Sequence, residues 1–269
     1  MEEETVRPFF KDCEPFFAEF IEFSGGVVID KLPENKIDRE NADYLFNTPA
    51  IISELKILKK DSFSEAEDIS RVISELLEKK VITHEQIMGY VFKGEKLPDE
   101  CLNKMIEKAS NTIERAIYKA NKQIEVTKKT FSMEAAAGII FLLNDGNYFF
   151  TIEGFLSVIS NIIARKFKNS AFDVIVYLTV NQSLCNSQND LDYGYWVPIY
   201  TKVNNDGDTI ISEEVFNFVN ELGRKFGNDF MEMKTGFRNT NHVEIDNYSD
   251  YKIQTAKLSY IPKQVIYKK

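Results

Sequence analysis

A chain of 269 residues, 43% hydrophobic and 28% charged, has an ordinary globular composition and enough length to bury a sizeable core. Its longest wholly apolar run, Ala135 to Leu143, is nine residues against the roughly 20 that a spanning helix needs, which excludes a transmembrane helix. The net charge of −9 argues against broad, unselective binding to nucleic acid, while leaving room for a local basic groove.

The opening MEEETVRPFF lacks the positive region of a signal peptide, so a cytoplasmic location is expected. Cys13, Cys101 and Cys185 are odd in number and far apart, which fits reduced thiols better than a disulfide framework or a zinc ribbon. An aromatic helix is predicted from about Glu14 to Phe23, stopped by Gly25-Gly26. A strand over VVIDKL, a turn at PENK and a second extended run through Asp43-Tyr44-Leu45-Phe46 follow, and Pro49 precedes a third strand over residues 50 to 58. Helices then take over. Ser64 with Glu67, and Thr83 with Gln86, are capping-box signatures for helices to about Lys80 and Phe92, and Pro98-Asp99 opens a long helix with steady 3/4 spacing from Leu102 to Ile124. Its end is basic, with Arg115, Lys119, Lys122, Lys128 and Lys129, and reads either as a solvated helix end or as a phosphate-facing ridge. Beyond it the pattern alternates: strand AAGIIFLL, turn NDGN, helix from about Thr151 to Lys166, strand FDVIVYLTV. Both strands are nearly all apolar, as in a sheet with parallel pairs covered on both faces. After Asn181 come a polar loop, the extended YWVPIYTKV, a turn at Asn204 to Asp208, a helix from about Glu213 to Phe226 and an irregular basic tail.

The chemistry-bearing signal is Ile51-Ile52-Ser53-Glu54-Leu55-Lys56-Ile57-Leu58. On a strand Glu54 and Lys56 share one face with Ile52 and Leu58, and charge among aliphatics is costly unless it is paired or holds a metal. The two histidines, His84 and His242, leave little room for zinc or imidazole chemistry. His84 reads as an exposed residue at a helix start, so any metal ligands should be carboxylates, which favour magnesium or manganese. Glu-x-Lys also occurs at Glu34/Lys36, Glu78/Lys80 and Glu232/Lys234, but only the pair at 54 and 56 lies inside an apolar strand preceded by a strand carrying an aspartate.

Asp43 followed by Glu54-Leu55-Lys56 resembles the metal-binding pattern of the PD-(D/E)XK nucleases, with Ala42 where that family often has proline. The resemblance implies an α/β fold with a three-layer restriction-endonuclease-like core and a mixed central sheet, in a single domain over residues 1–269. A helical insertion would span about 61–130 and a C-terminal extension about 200–269. It further implies a Mg²⁺- or Mn²⁺-dependent endonuclease acting on phosphodiester bonds, with DNA favoured, in host defence or repair, and a homodimer as one assembly. Asp43 and Glu54 would hold the cation with the Leu55 backbone carbonyl, and Lys56 would orient water or balance transition-state charge. A first-helix glutamate, for which Glu22 is chosen over Glu19, would approach the metal. Gln123, four residues before Thr127, distantly resembles the Gln-x-x-x-Tyr element of exonuclease-type members, which would add Gln123 to Lys119, Lys122, Lys128 and Lys129 as nucleic-acid-binding residues. Two further features stay open: NDGN as a ligand loop or a plain turn, and Trp196 and Tyr200 as base-stacking or core residues. The alternative reading is a nuclease fold that has lost catalysis and acts through a protein partner. A Glu54/Lys56 pair that merely stabilises an edge strand is the structural reading.

Overall fold

In the computed structural model, residues 10–32, 40–59, 63, 66–147, 149–181, 195–201 and 211–236 are described in full, and 182–186, 192–193 and 251–255 by their backbone alone. The protein is α/β, built on an open mixed sheet of six strands. In chain order the elements are α1 (Cys13–Phe23), β1 (Val27–Val28), β2 (Tyr44–Asn47), β3 (Ala50–Leu58), α2 (Ala66–Glu78), α3 (His84–Lys93), α4 (Asp99–Thr130), β4 (Ala137–Asn144), α5 (Ile152–Lys166), β5 (Val174–Thr179), β6 (Gln182–Asn186), β7 (Asp192–Tyr193), β8 (Trp196–Tyr200), α6 (Glu213–Arg224), α7 (Met231–Thr235) and β9 (Tyr251–Thr255).

The sheet order is β1-β2-β3-β4-β5-β8, so β3 is an interior strand. It pairs antiparallel with β2, Tyr44 opposite Ser53, and parallel with β4, Glu54 opposite Ile140. β4 and β5 are parallel, and β8 closes the far edge antiparallel. Alternation along β3 sends Ile51 and Leu55 to one apolar layer and Ile52 and Leu58 to the other. The second layer is covered by α4 and α5, the helices of the β3–β4 and β4–β5 crossovers. Two successive parallel crossovers on one face follow from the right-handedness of such connections. The first layer is covered by α1 and α6, where Phe17 and Phe20 of α1 meet Phe141 and Phe226 with ring centroids 4.9 Å apart in each pair.

α4 decides where the site lies. Its 32 residues span about 48 Å, more than the sheet requires. Ile113, Ile117, Ala120 and Ile124 pack on the sheet, while Cys101 and Met105 pack on Val72 and Leu76 of α2, so α2 and α3 form a helical excursion carried on the first half of α4. Glu75 of α2 ties the excursion to α4 by an ion pair to Lys108 at 2.9 Å.

The structure corrects three expectations. VVIDKL is a strand only at Val27–Val28: the Ile29 amide still donates to the Asp43 carbonyl at 2.8 Å, then the chain curls into a 3₁₀ turn. The polar stretch after Asn181 starts with β6, which pairs with β7 and with β9 in a second, three-stranded sheet. The last helix does not stop near Phe226. It widens into a π-turn over Lys225–Phe230 and continues as α7, because Phe226, Phe230 and Met231 all enter the aromatic layer. The expected turn at 204 to 208 and His242 lie outside the described residues. Cys13 and Cys101 are buried free thiols, and the Cys185 side chain is also outside them. Among the described residues no helix is long and apolar enough to cross a membrane.

Candidate functional site

The junction of β2 and β3 brings Asp43, Glu54 and Lys56 together. Asp43 sits one residue before β2 and is tied down three ways. Its amide donates to Glu54 Oε2 at 3.1 Å, its carbonyl accepts from Ile29, and its Oδ2 accepts from the Leu55 amide at 2.8 Å. Leu55 thus turns its backbone edge toward Asp43, and in an extended strand the carbonyl of a residue points the same way as its amide. Glu54 is 1% exposed, and its Oε1 is ion-paired with the Lys56 ammonium, whose side chain is 17% exposed. The β2–β3 ladder ends at Ser53, so Glu54 and Lys56 lie on the part of β3 paired with β4 alone, but the burial of Glu54 sets the pair apart from a solvated surface pair, whose charges would cost little.

Burial outweighs every favourable contact at this cluster. The Glu54 carboxyl is pushed up to about 8, first by desolvation and then by the neighbouring Asp43 charge, with Lys56 opposing both. The Asp43 carboxyl is also raised, again by burial first, against the Leu55 amide and the Lys56 charge. Two carboxyls in contact, both above their usual range, form a site short of positive charge. A divalent cation fits such a pair: Mg²⁺ is ordinarily held by one or two carboxylates with waters completing its shell. Among the described residues no group of three or more His, Cys, Asp or Glu side chains is placed to hold a metal. At this junction the oxygen atoms that could reach a cation are those of Asp43 and Glu54, with the Leu55 carbonyl on the same strand edge as its amide.

The remaining expected site residues divide. The Glu22 carboxylate is ion-paired with Lys31 and that of Glu19 with Lys234; the α1 carboxylate whose charge reaches Asp43 is Glu14. The periodicity alone did not single out Glu14, because it lies at the helix start rather than on the Glu19/Glu22 face. Gln123 does not face solvent. It is 8% exposed, its Oε1 accepts from Lys56 Nζ at 2.8 Å and its Nε2 donates to the Asn41 carbonyl at 3.0 Å. Thr127, one turn on, is fully buried and accepts from the Ala42 amide at 2.6 Å. Lys128 donates to the Ala171 carbonyl at 2.7 Å, Lys129 pairs with Glu125 at 2.6 Å, and Lys119 lies 3.7 Å from Glu40. Lys122 is exposed and makes no ion pair among the described residues. In NDGN, Asn144 donates to the Asn147 carbonyl and the Tyr177 hydroxyl, the Asp145 amide extends the ladder to the Leu58 carbonyl, and Asp145 Oδ1 accepts from Asn181 at 2.7 Å. That is a structural turn. Trp196 and Tyr200 are half-buried against the aromatic layer.

Comparison of the chain with family models, with curated proteins and with solved structures returns no significant match.

Proposed function

We propose that the protein is a divalent-metal-dependent nuclease that hydrolyses phosphodiester bonds, with DNA as the favoured substrate, on a restriction-endonuclease-like core. The observation that carries this reading is the raised, touching carboxyl pair formed by Asp43, just before β2, and Glu54 of β3, with Lys56 beside it, a buried cluster of charge that is costly to desolvate. Asp43, Glu54 and the Leu55 carbonyl would hold Mg²⁺ or Mn²⁺, which supplies a Lewis acid for a phosphoryl oxygen and lowers the pKa of a bound water. Lys56, partly exposed at the rim, supplies a compact cation that orients water or balances the charge growing on phosphorus. Lys119 and Lys122, on exposed turns of α4 next to Gln123, are the cations of the basic ridge best placed to meet the nucleic-acid backbone.

The second reading is a catalytically silent nuclease fold acting through a protein partner or a second copy. It is favoured by the helical excursion, where Met88, Val91 and Phe92 of α3 and Leu102 and Ile106 of α4 are exposed. Incubating the purified chain with plasmid and with single-stranded oligonucleotides in Mg²⁺ or Mn²⁺ separates the two. The nuclease reading predicts cleavage that falls about 100-fold or more in Lys56→Ala, the scale of losing one preorganised charge contact. No cleavage by the wild type in either metal, or full cleavage by Lys56→Ala, sinks it.

A further inference from the structure

We infer that Gln123 is the positioning residue of the site: its amide fixes the Lys56 ammonium against the loop that carries Asp43. Lys56 ends in four single bonds and would sample many rotamers if left to Glu54 alone. Gln123 removes that freedom from a rigid helix. Its carbonyl oxygen accepts from Lys56 Nζ and its NH₂ donates to the Asn41 carbonyl, so one planar amide spans from β3 to the chain two residues before Asp43. The orientation of the amide is set by this pair, because only the oxygen can accept from an ammonium and only the NH₂ can donate to a carbonyl. One turn later Thr127 accepts from the Ala42 amide, so positions i and i+4 of α4 grip consecutive residues of the same loop. Gln123 and Thr127 are buried, as is Glu54, which a nucleic-acid contact by Gln123 would not require.

The catalytic meaning of this clamp rests on the nuclease reading; its test does not. Competitive labelling of the folded protein with acetic anhydride, read at each lysine by peptide mass spectrometry, reports how firmly Lys56 is held in protein that need not be active. Gln123→Met keeps volume and burial but loses both hydrogen bonds, and is expected to speed Lys56 labelling about tenfold, the factor set by losing a hydrogen bond to a charged group. Gln123→Glu keeps an acceptor for Lys56 and is expected to leave it slow. Thr127→Val, which frees only the loop amide, should also leave it slow. An unchanged Lys56 rate in Gln123→Met overturns the inference whether or not the protein cleaves DNA. A uniform acceleration of lysines throughout both Gln123 variants overturns it too, because Gln123 would then support the fold at large. If the wild type does cleave, Gln123→Met should lower kcat with KM unchanged, and the same substitution in a Lys56→Met background should have no further effect.

Discussion

Residue by residue, the site is defined by what burial does to charge. Glu54 has a folded pKa of about 8 against an ordinary value of 4.5, so the folded state binds its proton more tightly than the unfolded chain. Its contribution is therefore fully present below pH 4.5 and is lost as the pH rises toward 8. Glu54→Gln, which keeps the shape and removes the titration, should raise Tm by about 5 °C over the wild type at pH 8.5 in the presence of a chelator, the scale of 1–2 kcal/mol in a chain of this size. At pH 4.5 the two should melt together. A lower Tm for Glu54→Gln at pH 8.5 would mean that the ion pair with Lys56 dominates the burial of the carboxyl. The Glu54–Leu55–Lys56 spacing was readable because apolar neighbours on both sides marked a strand. The place of Gln123 was not: it depends on how α4 is docked over the sheet, and local spacing carries no information about that register.

Among the elements, α4 and the paired strands were legible for one reason. Their apolar residues repeat in step with a helix or fill a doubly covered strand, and Asp99–Thr130, Ala50–Leu58 and Ala137–Asn144 follow from that directly. β6 was missed because its principal partner, β9, lies far along the chain and neither is apolar. The end of the last helix was misplaced because Gly227 resembles a stop, whereas the π-turn absorbs it and delivers Phe230 to the core. Phe230→Ala should therefore cost about 3–5 kcal/mol, seen as a shift in the denaturation midpoint, and a cost below about 1 kcal/mol would mean that this extension is dispensable. On β4, a Cβ at Gly138 would lie 2.3 Å from the Ala171 carbonyl oxygen, a backbone atom that cannot step aside. Gly138→Ala should destabilise by about 1–3 kcal/mol in the same assay.

For the whole molecule, the opposing facts are a net charge of −9 and a function that would address a polyanion. The fold leaves little of the basic ridge for phosphate, since Lys128 and Lys129 are engaged within the protein, which leaves the exposed Lys119, with only a distant contact to Glu40, and Lys122 to meet the backbone. Two phosphate contacts predict a shallow salt dependence, with log K against log salt falling at a slope of about −2. A slope steeper than about −5 in a fluorescence-anisotropy titration would point to a cationic surface elsewhere.

A divalent-cation site at Asp43 and Glu54, as proposed, is tested by a thermal-shift titration with Mg²⁺ and Mn²⁺ on the wild type, Asp43→Asn and Glu54→Gln. A cation at 100 times its dissociation constant should stabilise the wild type by about 2.7 kcal/mol. At pH 8.5, where both carboxyls are ionised at the cost of burial, both variants should melt higher than the wild type in chelator and gain nothing from the cation. A wild type that does not respond, or variants that respond as strongly as it does, would mean that these carboxyls hold no cation.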